Sequence, residues 1–590
     1  MIKRNDSKLA SDYSQASYAN EAGYPIKIVA LGGLDEMGKN CYVLDIDNDV
    51  FIIEAGLKYP NNSTPGVDII IPDFDYVKTV AHRVKGIIIT HGHDDQYGAL
   101  PYLLNIVRAP IYATETTIEI IKAACSPKFR KIDQYNFITV NPSDTMTISG
   151  HVFEFFQTSH SVANSFGFAL KTRFGNIVYT SDFISDYSAL KGYQFDLPKV
   201  ARLSEENNTF LLLTESETAN KPGIASPAHK ITPHVEKAIK EQQGKIFISV
   251  YSQNFYNIQE IVNLASKYKK RIVFANDEED RFFDRMIGIG AIDFPDGIKA
   301  VKSELSGISQ KDLIIVVTGS GEKLFNLCKE ICYGTVPPFR VETSDTWIDA
   351  APSVAGTEVE YTAAADTIFK TDCNVITLGR KVLASMHAQE EDLKMMISLF
   401  RPRYYMPVKG EYRLLMENAK LAIDLGIGLN HYNTFVYDNG MVLAFDNGGN
   451  VSLKYVTVKS GDVMVDGSSV GEVKETAINE RQDMADGGVL LIGVALSMSE
   501  GKIVATPDIQ MRGFLYTKES ELLVSSISQK VQSTVYDMMQ YRSERKVTVE
   551  DIEKKIENNV AKAVARDTKK EPTIVVHVFN VDGLEAFDAR

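Results

Sequence analysis

The sequence is organised around Ile87-Ile88-Ile89-Thr90-His91-Gly92-His93-Asp94-Asp95-Gln96, an apolar run that ends abruptly in histidines and carboxylates. The β-branched run is typical of a strand buried on both faces, and Gly92 permits a sharp turn after it. Imidazole and carboxylate are ligands that zinc and manganese prefer, and the H-x-H-x-D spacing lets three of them converge on one point. The plain alternative is a polar turn after a buried strand, because a short motif alone is only a hypothesis.

Length and composition predict a multidomain globular protein. A chain of 590 residues is too long for one core, and its 44% hydrophobic and 24% charged residues are ordinary for a globular protein. No apolar run reaches the roughly 18 residues that a membrane span needs. Residues 1–24 are polar and lack the apolar core of a signal peptide, so we expect a flexible tail on a cytoplasmic protein.

Charge and cysteine content disfavour two broad classes of protein, non-specific nucleic-acid binders and disulfide-rich proteins. The formal net charge of −14 disfavours a broad, non-specific grip on nucleic acid, although it leaves room for a local basic groove. Five cysteines in a chain of this length argue against a disulfide framework. Cys328 and Cys332 fall in a helical pattern, and a buried helix face explains them better than a metal pair does.

Two further predicted strands also end in side chains that bind metals. The strand Phe153 to Gln157 leads to His160, and the strand Ile177 to Thr180 leads to Asp182. A single histidine after a strand is usually an ordinary loop residue. Three strand ends that each carry a metal-type ligand favour a common site.

Many motifs lie in an order that resembles one known family. They are Ala30-Leu31-Gly32-Gly33, Gly38-Lys39-Asn40, His91-Gly92-His93, Thr158-Ser159-His160-Ser161, Asp182-Phe183, Thr214-Glu215-Ser216, Thr318-Gly319-Ser320-Gly321-Glu322, Pro407-Val408-Lys409-Gly410-Glu411-Tyr412-Arg413 and Arg512-Gly513-Phe514-Leu515-Tyr516. This set resembles bacterial ribonuclease J, of the β-CASP branch of the metallo-β-lactamase superfamily. The likeness extends from about Lys27 to the C-terminus.

The resemblance implies an α/β architecture: a metallo-β-lactamase αββα sandwich, an inserted β-CASP α/β domain and a small C-terminal α+β domain. We expect the tail at 1–24, the first part of the core at 25–213 and the insertion at 214–373. The second part of the core is expected at 374–450, a linker at 451–479 and a C-terminal assembly domain at 480–590.

The resemblance also implies two metal ions that together activate a water molecule. The first site would use His91, His93, His160 and the bridging carboxylate Asp182, and all four are present. The second would use Asp95, Asp182 and two further histidines. Here those two positions are degenerate, because Gln96 and Lys409 replace the histidines. We therefore expect one zinc site, with manganese or magnesium as possible alternatives, and a lost second site.

The two replacements differ chemically. A neutral amide oxygen of Gln96 is a weak ligand that still suits a hard cation, whereas the Lys409 ammonium has three donors and no acceptor. One hypothesis places the Lys409 charge between Asp95 and Asp182, where it substitutes for the second metal without generating hydroxide. The other directs Lys409 to solvent and leaves one metal to support slow hydrolysis. We favour the first, because unpaired buried carboxylates are costly.

Other departures bear on RNA recognition. By resemblance, Asp95, Asp182, Glu215 and His387 would be catalytic, and Asn254, Ser385 and His387 would bind RNA. Glu215 replaces an aspartate in the S-D-S-T pattern, which here reads Thr214-Glu215-Ser216-Glu217. Asn257 replaces a basic residue of the Asn254 motif, which removes an expected phosphate contact. Met386 replaces a glycine at a point where backbone must approach a phosphate.

Together these features predict a ribonuclease J-like protein of RNA processing and decay whose two-metal site is degenerate. It would act mainly as a structural and RNA-binding partner of an active paralogue, as a homo-dimer, a tetramer or a hetero-oligomer. The alternative is a zinc-dependent 5′-to-3′ exoribonuclease and endoribonuclease of low activity. A third possibility is a regulatory RNA-binding module without metal.

Overall fold

The computed structural model describes residues 23–60, 64–125, 132–186, 189–225, 231–354, 357–379, 383, 386–467, 469–471, 475–514, 520–540 and 547–582. Residues 1–22 of the predicted tail, the predicted RNA-binding residue Ser385 and the motif residues Leu515 and Tyr516 lie outside these ranges. Within the described ranges, no helix combines the length and apolar character needed to cross a membrane.

The chain forms two compact units. The first comprises Met1–Tyr59 and Ile69–Val463, and the second comprises Pro60–Asp68 and Met464–Arg590. Each has its own hydrophobic core.

Two mixed β-sheets packed face to face form the centre of the first unit. One has seven strands in the spatial order Val442–Phe445, Ile26–Gly32, Cys41–Ile46, Asp49–Ile53, Val84–Ile88, Ile111–Ala113 and Phe137–Thr139. The other has six strands in the order Tyr404–Pro407, Thr209–Thr214, Gly175–Tyr179, Phe166–Thr172, His151–Gln157 and Thr145–Ile148. Tyr42 and Phe51 of the first sheet share a core cluster with Phe153 and Phe168 of the second.

Helices cover the outer side of the six-stranded sheet. Alternate strand residues point to opposite faces, so Phe168 enters the core between the sheets while Ala169 packs outward against helices. Leu203, Met396 and Ala422 belong to this outer cluster. The helices of the sandwich are Asp75–Val80, Asp94–Tyr97, Leu100–Leu103, Glu115–Cys125, Leu197–Glu206, Glu390–Phe400 and Tyr412–Asp424, with a short strand at Ile69–Pro72 and 3₁₀ turns at Ala81–Arg83 and Ile132–Gln134.

Residues that come between the two segments of the sandwich in the sequence form a separate, fully parallel sheet. Its strands follow the order Arg271–Phe274, Leu313–Gly319, Ile246–Tyr251, Thr346–Asp349 and Asn374–Thr377. Its helices are Thr232–Glu241, Phe255–Lys267, Asp277–Gly288, Glu322–Cys332 and Glu358–Phe369, with 3₁₀ segments at Lys302–Gly307 and Gln310–Asp312. The predicted return to the core at residue 374 is too early, because the strand Asn374–Thr377 pairs with Thr346–Asp349 of this inserted sheet.

The inserted region contains a carboxyl group that supports a test of pH dependence. Burial and the neighbouring Glu278 raise the pKa of Glu279 to about 7, and Glu279 Oε2 has no hydrogen-bond partner among the described residues. A carboxyl whose folded pKa lies above its unfolded value is destabilising once charged, so stability falls as pH rises through about 7. Glu279→Gln should therefore raise the free energy of unfolding at pH 8 by about 1 kcal/mol and change it little at pH 5.

Urea unfolding followed by fluorescence measures this effect, because Trp347 is the single tryptophan of the chain and lies in the inserted sheet. Glu330→Gln removes the same charge from an exposed helix position and serves as the control. Equal pH dependence in the native chain and in Glu279→Gln would contradict the prediction.

The second unit packs helices on one four-stranded sheet. Val489–Ser497 pairs in parallel with Thr573–Asn580 on one side, and antiparallel with Lys502–Ile503 and Asp508–Arg512 on the other. The helices are Glu475–Gly487, Ser520–Gln540 and Val549–Thr568. The region 451–479, predicted as a linker, is not irregular throughout. Strands lie at Asp462–Asp466 and Ser469–Val470, and the helix Glu475–Gly487 begins within it.

Candidate metal centre

The central motif lies where the buried strand Val84–Ile88 ends. This strand runs parallel to both of its neighbours, Asp49–Ile53 and Ile111–Ala113, and all of its residues except Lys85 are buried. Gly92 is needed for close packing rather than for a positive φ, because a Cβ there would lie 2.4 Å from Ile120 Cδ1. The chain also bends at His91 and Gly92, so the predicted turn after the strand is confirmed.

Four predicted ligands converge at this strand end. One ligand atom from each of His91, His93, His160 and Asp182 lies within 4.8 Å of all the others. Asp182 Oδ2 lies 3.3 Å from His91 Nε2 and 3.7 Å from His160 Nε2. His160 Nε2 lies 3.1 Å from His93 Nδ1. His91, His160 and Asp182 are buried, which shields the cluster from bulk water.

The outer ring nitrogens of these histidines are held by other groups. His160 Nδ1 donates to the Met386 carbonyl oxygen at 2.7 Å, and Ser161 Oγ lies 3.0 Å from His93 Nε2. Burial lowers the pKa of His93 to about 3 and that of His160 well below its usual value. Neutral rings oriented in this way direct lone pairs into the cluster, so the donor set fits one divalent ion.

The buried carboxyl group of Glu54 is linked through Thr90 to His91 Nδ1, the ring nitrogen that does not face Asp182. Thr90 Oγ1 donates to Glu54 Oε1 at 2.6 Å and lies 3.1 Å from His91 Nδ1. Burial raises the pKa of Glu54 to about 8. From the sequence no role was assigned to Glu54, which directly follows the strand Asp49–Ile53.

The Lys409 side chain lies inside the site, with only 2% of the residue exposed. Its Nζ lies 3.1 Å from Asp95 Oδ2 and also pairs with Asp182 Oδ2. Burial opposes the charge, but these two carboxylates raise the pKa of Lys409 well above its usual value. Lys409 has a φ of 53°, and its carbonyl oxygen accepts a hydrogen bond from the Ser216 backbone at 3.0 Å. The alternative prediction, in which the Lys409 side chain points to solvent, is not observed.

Donors already surround the Asp95 carboxylate oxygen that a second metal would need. Asp95 Oδ2 accepts from Asn40 Nδ2 at 3.1 Å and from Gln96 Nε2 at 3.2 Å, in addition to Lys409. The buried Gln96 thus presents its amide nitrogen, not its oxygen, to Asp95. A divalent ion cannot share a point with an ammonium and two amide donors, so this donor set does not fit a second ion.

A second acidic cluster adjoins the first. Glu215 Oε1 accepts from the backbone of Phe183 at 2.8 Å and of Ala388 at 3.0 Å. His387 Nδ1 lies 2.6 Å from Glu215 Oε2, and His387 Nε2 lies 3.3 Å from Glu217 Oε2. Burial raises the pKa of Glu215 to about 7. Burial opposes charge on His387, but Glu217, Glu215 and Asp182 raise its pKa to about 9.

The remaining predicted residue, Asn254, is not part of these clusters. Its side chain accepts from the Asn257 backbone at 3.1 Å and thereby caps the helix Phe255–Lys267. Its RNA contact remains a prediction. Sequence reasoning missed the roles of Asn40 and Glu217, although both stood in quoted motifs.

Four family models match successive parts of the chain. They are the beta-lactamase superfamily domain at residues 65–193, the ribonuclease J beta-CASP domain at 243–368, the Zn-dependent metallo-hydrolase RNA specificity domain at 379–434 and the ribonuclease J C-terminal domain at 476–581. With the packed sheets, the inserted sheet and the C-terminal unit, these matches confirm the predicted fold class.

Curated relatives cover almost the whole chain. Ribonuclease J 2 of Staphylococcus epidermidis (strain ATCC 35984) is 31% identical over 550 residues, 93% of this chain and 97% of that protein. Ribonuclease J 2 of Staphylococcus aureus (strain MRSA252) is 31% identical over 551 residues with the same coverage. A crystal structure of a protein of unknown function from Enterococcus faecalis V583 is similar with a TM-score of 0.47 and 14% identity, over 71% of this chain and 100% of that one. The identity and coverage of the two curated relatives show that this chain belongs to the ribonuclease J family, in the β-CASP branch of the metallo-β-lactamase superfamily.

Proposed function

We propose that this RNA-processing protein acts mainly as a structural and RNA-binding partner of an active ribonuclease J paralogue. The observation that carries the proposal is Lys409, whose ammonium group pairs with both Asp95 and Asp182. Two-metal hydrolysis needs a second ion at this point, and a lysine supplies positive charge without a coordination position for water.

The electrostatic requirements of folding and of hydrolysis differ here. Two carboxylates in a buried site need a nearby cation, and Lys409 provides it. The ammonium therefore stabilises the site. An ammonium group has no vacant coordination position and a single charge, so it cannot coordinate a nucleophilic water and make it acidic as a divalent ion does.

One divalent ion fits the remaining ligands. We propose zinc at His91, His93, His160 and Asp182, because three imidazoles and a carboxylate suit it, with manganese as the alternative. When bound, such an ion supplies a positive charge among these four ligands. The chain's own residues orient it: Met386 and Ser161 hold the rings of His160 and His93.

Assembly and location form part of the same proposal. We propose that the region from about residue 480 mediates association with itself or with the active paralogue, in the cytoplasm. An RNA contact by Asn254 is also proposed, whereas both ring nitrogens of His387, the other predicted contact, face Glu215 and Glu217.

The second candidate function is slow hydrolysis with a single ion. The complete first ligand set favours it, since all four residues of that set are present and close together. In that case Glu215 or His387 would move protons during RNA cleavage.

Metal content and hydrolysis, measured together on the full chain, separate these functions. After dialysis the chain should retain one zinc ion, and it should cleave 5′-monophosphorylated RNA at a rate near background. An active ribonuclease J paralogue, assayed under the same conditions, is the positive control. A native chain that holds two ions, or that cleaves RNA about as fast as the paralogue, would refute the partner function. RNA affinity that survives chelation with no metal in the native chain would favour the metal-free binding module.

A further inference from the structure

Glu217 is an additional carboxylate on the solvent side of the site. It follows Glu215 and Ser216 in the loop after the strand Thr209–Thr214. Its side chain is 25% exposed, whereas those of Asp182 and Glu215 are each 1% exposed. No role in metal binding or in the proposed function accounts for it.

A single oxygen of Glu217 faces two nitrogen atoms of the site. Glu217 Oε2 lies 3.3 Å from His387 Nε2 and 4.0 Å from Lys409 Nζ. The other nitrogen of His387 lies 2.6 Å from Glu215 Oε2, so both ring nitrogens face carboxylate oxygens. Glu217 therefore covers the solvent side of the Lys409 ammonium group and of the His387 ring.

A phosphate oxygen of RNA has the same recognition chemistry as this carboxylate oxygen. Both are anionic acceptors of hydrogen bonds from histidine and lysine nitrogens. Because His387 Nε2 and Lys409 Nζ both face Glu217 Oε2, an entering phosphate would meet them where this oxygen now lies. Like charges at that distance repel, so the carboxylate and a phosphate exclude each other.

We propose that Glu217 is an internal anion that occupies the phosphate-binding position of this site and keeps RNA phosphate out of it. The inference deepens the proposed function and rests on it, since a non-hydrolytic partner has no need to admit a phosphodiester at this point. RNA bound by the chain would then be held outside the metal centre. In the S-D-S-T pattern that this segment resembles, the corresponding residue is a threonine, whose hydroxyl is an uncharged hydrogen-bond donor and acceptor.

Titration with inorganic phosphate tests this exclusion directly. The full chain is treated with chelator and titrated at pH 7 by calorimetry, as the native protein, as Glu217→Gln and as Glu217→Thr. Both variants should bind phosphate at least about tenfold more tightly than the native chain, because each removes a negative charge that lies 4.0 Å from the Lys409 ammonium nitrogen and 3.3 Å from His387 Nε2. Equal phosphate affinity in the native chain and both variants would overturn the proposal.

A matched control accounts for the change in net charge. Glu206→Gln removes a carboxylate that is 47% exposed and paired with Arg202 at the surface. It should leave phosphate affinity unchanged, and the same gain in Glu206→Gln would overturn the proposal.

A double variant locates the bound phosphate. Glu217→Gln combined with His387→Gln should lose the phosphate affinity gained by Glu217→Gln alone, because the imidazole nitrogen that faces this position is gone. Retained affinity would mean that phosphate binds elsewhere, which would also overturn the proposal. The titration contains no metal and no RNA cleavage, so its outcome is independent of the ion count and hydrolysis that test the proposed function.

Discussion

Replacing Gln96 and Lys409 by histidine in the same chain should raise the bound metal from one ion to two and RNA hydrolysis by about a hundredfold or more. The double variant removes the ammonium between Asp95 and Asp182 and supplies two imidazole lone pairs at the same place. Both carboxylates then regain a divalent partner, and a water between two ions becomes acidic enough to attack a phosphodiester. Metal analysis of dialysed protein and cleavage of 5′-monophosphorylated RNA measure the two effects.

Two single variants distinguish the effect of the Lys409 charge from the effect of the missing histidine ligands. Gln96→His alone should gain no second ion, because the Lys409 cation still occupies the position. Lys409→Met removes the charge without adding a ligand, so it should not gain hydrolysis. A double variant that still holds one ion and remains near background would show that Lys409 is not what disables the second position.

A substitution of Glu217 extends this series of variants. If Glu217 excludes phosphate, adding Glu217→Thr to the double variant should increase hydrolysis again by lowering KM for RNA, with the metal content unchanged at two ions. An unchanged KM would separate the phosphate subsite from the cleavage site.

The sequence predicted the residues of the first ligand set but not what supports them. An apolar strand that ends in His91, with other strands ending near His160 and Asp182, is visible in a linear pattern. The outer partners are not, because they depend on tertiary contacts. Met386 lies 226 residues from His160, yet its carbonyl fixes the ring.

The sequence pattern could not predict the orientation of the Lys409 side chain. A family resemblance identified the position as a missing ligand, but no periodicity shows whether a lysine side chain points inward or outward. The arrangement of Asn40, Gln96 and Lys409 around one oxygen of Asp95 depends on two distant loops meeting the same helix start.

The boundary error near residue 374 has a similar cause. A strand as short as Asn374–Thr377, in which only Val375 and Ile376 are apolar, has the same pattern whichever sheet it joins. Its pairing with Thr346–Asp349 is decided by the packing of the inserted sheet, which no local signal reports.

Lys409→Met should lower the free energy of unfolding of the first unit by about 3–5 kcal/mol in the presence of chelator, because removing one partner leaves buried carboxylates unpaired. Methionine keeps much of the side-chain volume, so the loss reports mainly on charge. Urea unfolding followed by the fluorescence of Trp347 measures this unit. Lys78→Met breaks an ion pair with the exposed Asp75 and should cost no more than about 1 kcal/mol.

Acid pH and added zinc should each reduce the difference in the free energy of unfolding between Lys409→Met and the native chain. Lysine holds the pKa of Asp182 well below its usual value in spite of burial, so the ion pair stabilises the fold above the unfolded pKa of about 3.9 and is lost as pH falls through the folded pKa. In the variant, acid instead neutralises an unpaired charge, and the difference should shrink as pH falls. Added zinc should also stabilise the variant more than the native chain, since a second cation can then reach Asp95 and Asp182. A variant as stable as the native chain in chelator at pH 7 would mean that Lys409 does not hold these carboxylates together.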